Sequence, residues 1–78
     1  MEVVLYSRPG CHLCEAMRAV VEPIAREAGA AFEERDVDAD PVMAARYDLE
    51  IPVLVVDGEK AFSIQVRPDA LRARLARR

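Results

Sequence analysis

The stretch Tyr6–Met17, YSRPGCHLCEAM, puts both cysteines of the chain, Cys11 and Cys14, two residues apart at a change of hydrophobic period. Before it, Val3-Val4-Leu5-Tyr6 is a continuous run of β-formers and predicts a strand buried on both faces. Pro9, which lacks an N–H, and Gly10, which tolerates turn dihedrals, then break the run. From about His12, the residues Leu13, Met17, Val20, Val21, Ile24, Ala25 and Ala28 follow the spacing of an amphipathic helix. Gly29 stands where a C-terminal cap belongs. Pro23 falls inside this pattern and predicts a kink rather than two helices. The cysteine pair therefore lies where a buried strand hands over to a helix.

Two close cysteines can exchange electrons, hold a metal or staple a turn, and the whole chain bears on the choice. Its 78 residues allow one domain (residues 1–78) with one small core. A composition of 53% hydrophobic and 32% charged residues is that of an ordinary soluble globular protein. No apolar run is longer than the four residues of Val53 to Val56, too short to cross a bilayer, and no secretory signal opens the chain. A net charge of −3 gives no general attraction to nucleic acid or to anionic membranes, so neither is expected as a partner. Two cysteines without a signal point to the reducing cytoplasm, where a close pair is more often catalytic or metal-binding than structural. A staple also closes too short a loop to gain much. Its chain-entropy term falls well below the roughly 3 kcal/mol of a 15-residue loop.

The position of the pair separates the roles of its members. At a helix start, the unpaired N–H groups and the positive dipole end favour an anion at Cys11. Cysteines so placed have pKa values of roughly 3.5–7.5, against about 8.5 when free. Cys14, at i+3, is on the same face and one turn deeper. Cys11 is then the exposed nucleophile, and Cys14 the thiol that resolves the mixed disulfide. Arg8 either adds a positive charge beside Cys11 or is a solvated loop residue. His12 either tunes Cys11 or points to solvent. Tyr6 and Tyr47 read as packing residues.

Further along, Phe32 to Val37 predicts a weaker strand whose acidic residues suit an exposed edge. Asp40 and Pro41 form a helix start, with the Asp40 carboxylate able to cap free N–H groups and Pro41 supplying the φ of a first turn. Met43, Ala44 and Tyr47 mark a short helix ending near Tyr47. Val53 to Val56 is a second apolar strand, and Asp57-Gly58 is a hairpin signal. The returning strand is expected to bury Phe62, Ile64 and Val66, alternating with Ala61, Ser63 and Gln65. Pro68 opens a last helix with Leu71 and Leu75 inward. Asp69 near its start and Arg72, Arg74, Arg77 and Arg78 near its end suit the helix dipole. The predicted order is β-α-β-α-β-β-α. Pro52 directly precedes the second apolar strand, where a residue that cannot donate to a ladder belongs.

Together these residues resemble the glutaredoxin branch of the thioredoxin-fold family. VVLYSRPGCHLC is similar to the family's first strand and redox motif. DVDADP resembles the end of its second strand and the next helix start, and YDLEIPVLVVDG its Tyr-to-cis-Pro stretch and hairpin. The resemblance implies an α/β thioredoxin-like fold, a four-stranded mixed sheet flanked by three helices. It implies a monomeric thiol–disulfide oxidoreductase with no bound cofactor or metal, in which Cys11 and Cys14 form a disulfide when oxidised. Its substrates would be disulfide-containing proteins or glutathione mixed disulfides. Arg8, His12, Leu13, Ile51 and Pro52 would face substrate or glutathione, with Ile51 offering backbone hydrogen bonds and Pro52 the cis-proline. The chain departs from glutaredoxins in carrying His12 and Leu13 where they usually have Pro and Tyr, and AFSIQVRPDAL where they have a Gly-Gly and acidic pair. The electron donor therefore stays open between glutathione and a thioredoxin reductase. Two other classes compete with this reading. One is a small metal-binding or metallochaperone domain, whose ferredoxin-like order would be β-α-β-β-α-β. The other is a redox-inactive binding module that kept the fold.

Overall fold

The computed structural model describes residues 1–77; Arg78, one of the arginines assigned to the end of the last helix, lies outside the described residues. The elements run β1 (Glu2–Ser7), α1 (His12–Glu27), β2 (Ala31–Asp36), a 3₁₀ turn (Val37–Ala39), α2 (Pro41–Tyr47), β3 (Val53–Val56), β4 (Glu59–Ser63) and α3 (Pro68–Ala76). This is the predicted order, and it is not the β-α-β-β-α-β order of a ferredoxin-like metal domain. The sheet order is β2-β1-β3-β4, with β1 parallel to β2 and antiparallel to β3, and β3 antiparallel to β4.

The alternation of β1 explains why its sequence is apolar throughout. Val3 and Leu5 point to one face, where they pack with Met17, Val21, Ile24 and Ala25 of α1 and Leu71 and Leu75 of α3. Val4 and Tyr6 point to the other, against Val37, Tyr47 and Val53. Tyr6 and Tyr47 are packing residues, with ring centroids 5.8 Å apart. Such two-sided burial is what places β1, and with it Ser7 and the Cys11 loop, at the centre of the sheet.

The predicted caps form. Asp40 accepts hydrogen bonds from the Val42 and Met43 N–H groups at 3.0 and 3.3 Å, with Pro41 in the first turn of α2. Gly29 has φ +71° and follows α1, while the Ala30 N–H donates to the Ala25 carbonyl. That bond closes the helix in the Schellman manner. α1 runs unbroken through Pro23, which lies on its exposed side.

Two boundaries differ from expectation. β2 begins and ends one residue earlier than Phe32–Val37. The Asp36 side chain accepts from the Asp38 N–H at 2.9 Å, which starts the 3₁₀ turn and buries Val37 there instead. The returning strand also stops short. Asp57 and Gly58 both have positive φ, as a two-residue hairpin needs, but a register shift between Leu54 and Val55 breaks the expected alternation. Ile64 then adopts φ +71° and leaves the ladder exposed, its N–H donating to the Pro52 carbonyl at 2.8 Å. Phe62 and Val66 still pack against the core; Ile64 does not.

Candidate active site

Cys11 caps α1. Its backbone is extended, with φ −95° and ψ 108°, and its Sγ accepts the Cys14 N–H at 3.1 Å. A sulfur placed there takes up one of the orphan donors of the first helical turn and sits at the positive end of the helix. The two cysteines are joined as a disulfide, with Cα atoms 5.2 Å apart. Cys11 is half-buried, whereas Cys14 retains only 2% of its surface. The asymmetry between them follows from position alone, since i+3 carries Cys14 one turn inward beneath the helix start.

The remaining sequence-chosen residues divide into three groups. Arg8 lines a pocket of about 350 Å³ together with Cys11 and Cys14. Its side chain, 33% exposed, is ion-paired rather than free. Its Nε and Nη2 donate to the two Asp38 oxygens at 2.7 and 2.9 Å, and Nη2 also reaches Asp48 at 2.8 Å. These hydrogen bonds hold the Arg8 guanidinium well above its ordinary range and the Asp38 carboxyl below its own. Arg8 is thereby a tie between the Cys11 loop, the 3₁₀ turn and the end of α2, with its charge offset twice over.

His12 and Leu13 form the second group, on the outside of the first helical turn. The His12 side chain is 99% exposed, with Nδ1 3.9 Å from Glu15, so it points to solvent. Leu13 is exposed beside it. The third group is Ile51 and Pro52, joined by a cis peptide bond at the start of β3. Pro52 is fully buried; Ile51 is half-buried against the Tyr6 and Tyr47 cluster. Among the described residues, the Ile51 main chain makes no backbone hydrogen bond. Neither residue lines the pocket at the disulfide, which lies instead toward β2.

That pocket contains groups the sequence did not single out: Ser7, Glu15, Arg18, Glu34 and Asp36. Ser7 precedes the loop and is the one buried polar residue among those described. Nothing in its residue type marks it. Among the described residues, no group of three or more His, Cys, Asp or Glu side chains is placed to hold a metal ion, and no helix is long and apolar enough to cross a membrane.

The Arg8 tie carries a pH signature. Asp38 has a depressed carboxyl pKa in the folded chain, so its contribution is present above the ordinary carboxylate range and is lost as pH falls through the folded value. Asp38→Asn is therefore expected to lower the melting temperature modestly near neutral pH, as befits an exposed pair. The gap from the parent should close on acidification. A gap that stays constant with pH would contradict the assignment.

A four-stranded mixed sheet with three helices, carrying a cysteine pair at the first helix start, is the thioredoxin fold. The family description "Glutaredoxin-like domain (DUF836)" matches residues 2–76, and the chain belongs to that glutaredoxin-like family. A structural-genomics target protein from X. campestris is 31% identical, with 94% of this chain and 93% of that chain covered and a TM-score of 0.69. Protein Ne2328 from Nitrosomonas europaea superposes with a TM-score of 0.80 at 27% identity, covering 96% of this chain and 91% of that one. A mutant thioredoxin from Halobacterium salinarum is 29% identical, with a TM-score of 0.70 over 95% of this chain and 70% of its own. A search of curated proteins returns no significant match. This fold with its CxxC pair supports a thiol-redox role.

Proposed function

We propose that the chain is a small thiol–disulfide oxidoreductase that reduces protein disulfides or glutathione mixed disulfides in the cytoplasm. The observation that carries this reading is the unequal setting of the two sulfurs. Cys11 is accessible and capped onto a helix N-terminus, while Cys14 is buried behind it. In the reduced protein, the Cys11 thiolate attacks one sulfur of the substrate disulfide, whose other sulfur leaves as a thiolate and takes up a proton. Cys14 then attacks Cys11, forming the Cys11–Cys14 disulfide and releasing the second substrate thiol. Two electrons and two protons pass to the substrate. Stabilisation of the Cys11 thiolate falls to the helix start, since Arg8 is already committed to two carboxylates. The Ile51 main chain and exposed Leu13 are the contacts assigned to an extended substrate segment.

The same arrangement bears on the electron donor. Glutathione brings two carboxylates, and Arg8, one of the two cations lining the pocket at the disulfide, is offset by Asp38 and Asp48. NADPH oxidation followed with a disulfide substrate is therefore expected to be faster with thioredoxin reductase than with glutathione and glutathione reductase. Turnover with glutathione alone would reverse that donor assignment. Turnover with neither would contradict the reductase reading.

A further inference from the structure

We infer that Glu34, held in place by Ser7, accepts the proton that Cys14 must lose before it attacks the mixed disulfide. The inference rests on the dithiol reading above. The nucleophile in thiol exchange is the thiolate, and removal from water works against the charged form. Cys14 is buried, so its proton needs a nearby acceptor at the moment of attack. The pocket onto which Cys14 opens contains three carboxylates. Two of them are otherwise engaged. Asp36 caps the 3₁₀ turn through the Asp38 N–H. Glu15 is largely exposed and directed toward His12.

Glu34, its side chain 35% exposed, differs from both in being tied to a buried group. The parallel register sets it opposite Leu5 on the face of β2 that also carries Phe32, the face packed toward α1. The buried Ser7 hydroxyl donates to its Oε2 at 2.9 Å, and Arg18 Nη1 lies 3.7 Å from its Oε1. A carboxylate on an edge strand is ordinarily free to swing into solvent. Here it is anchored from inside the sheet, at the wall of the pocket that Cys14 shares. Arg8, the other cation of the pocket, is spent on Asp38 and Asp48.

The Cys14 S–H proton passes across the pocket to the Glu34 carboxylate. The Cys14 sulfur bonds to the Cys11 sulfur, the bond from Cys11 to the substrate sulfur breaks, and that sulfur leaves with the electron pair. Glu34 then returns its proton to solvent or to the leaving thiolate.

Rapid mixing of the fully reduced protein with dithiobis(nitrobenzoate) separates the two attacks, because each releases one coloured thiolate. Glu34→Gln keeps an acceptor for the Ser7 hydroxyl and removes the base. The first release is expected to be unchanged. The second should slow by roughly 100-fold near neutral pH, the low end of what a positioned proton acceptor contributes. Its rate should then climb with pH as hydroxide takes over the role. Ser7→Ala should slow the second release less, and Glu33→Gln, on the opposite face of β2, should leave both releases unaltered. A second release in Glu34→Gln that keeps the parent's rate, or slows without a changed pH profile, would overturn the inference while leaving the dithiol reading standing. Release of a single equivalent by the parent would remove the dithiol reading and this inference with it.

Discussion

Cys11→Ser is expected to abolish disulfide reduction, with a fall of at least about 10³-fold, the scale of loss when an enzyme forfeits its nucleophile. Cys14→Ser should behave differently. Its Cys11 can still attack, so it should make the mixed disulfide and stop there, accumulating a covalent adduct visible by mass spectrometry. The two outcomes follow from the structure rather than from the motif alone. Cys11 is the more accessible sulfur and accepts the Cys14 N–H at 3.1 Å, whereas Cys14 is closed off behind it. An adduct on Cys14 in Cys11→Ser, with turnover retained, would reverse the roles.

Leu54→Ala is expected to be the most damaging substitution outside the site. Leu54 is fully buried in β3, between β1 and β4, and packs in the cluster that joins the sheet to α1 and α3. Truncating a buried leucine costs about 2–5 kcal/mol. A domain of 78 residues stands near the low end of the usual stability range of roughly 5–15 kcal/mol. With each kcal/mol worth about 4–8 °C in a domain of this size, the melting temperature should fall by roughly 8–40 °C. Leu49→Ala supplies the contrast, since Leu49 is 90% exposed and its truncation should cost no more than about 0.5 kcal/mol. Thermal melts of the two variants followed by circular dichroism would distinguish them. Equal losses would contradict the assigned core.

What the residues disclosed in advance was what local chemistry determines. The strand before Cys11, the helix after it, the Asp40 cap and the Asp57-Gly58 turn each depend on residues within a few positions of one another. The fate of Arg8 does not. Its partners lie 30 and 40 residues away and reach it only once the 3₁₀ turn and α2 have packed beside β1. The end of β4 was hidden for another reason. A β-branched residue such as Ile64 disfavours positive φ, so nothing in its type announces the bend that exposes it. Glu34 reads in sequence as one more solvated acid on an edge strand. Only the parallel register of β2 on β1 brings it to the Ser7 hydroxyl and the pocket wall.

The central claim is that Cys11 and Cys14 cycle between dithiol and disulfide. It is tested most directly by equilibrating the protein with defined thiol–disulfide buffers, trapping free thiols by alkylation and weighing the products. One reversible two-electron transition is expected, in which both cysteine thiols are lost and regained together. Its midpoint should lie between about −200 and −270 mV, the span of glutaredoxins and thioredoxins. A pair that stays oxidised throughout, or a reduced form that carries a stoichiometric metal, would contradict it.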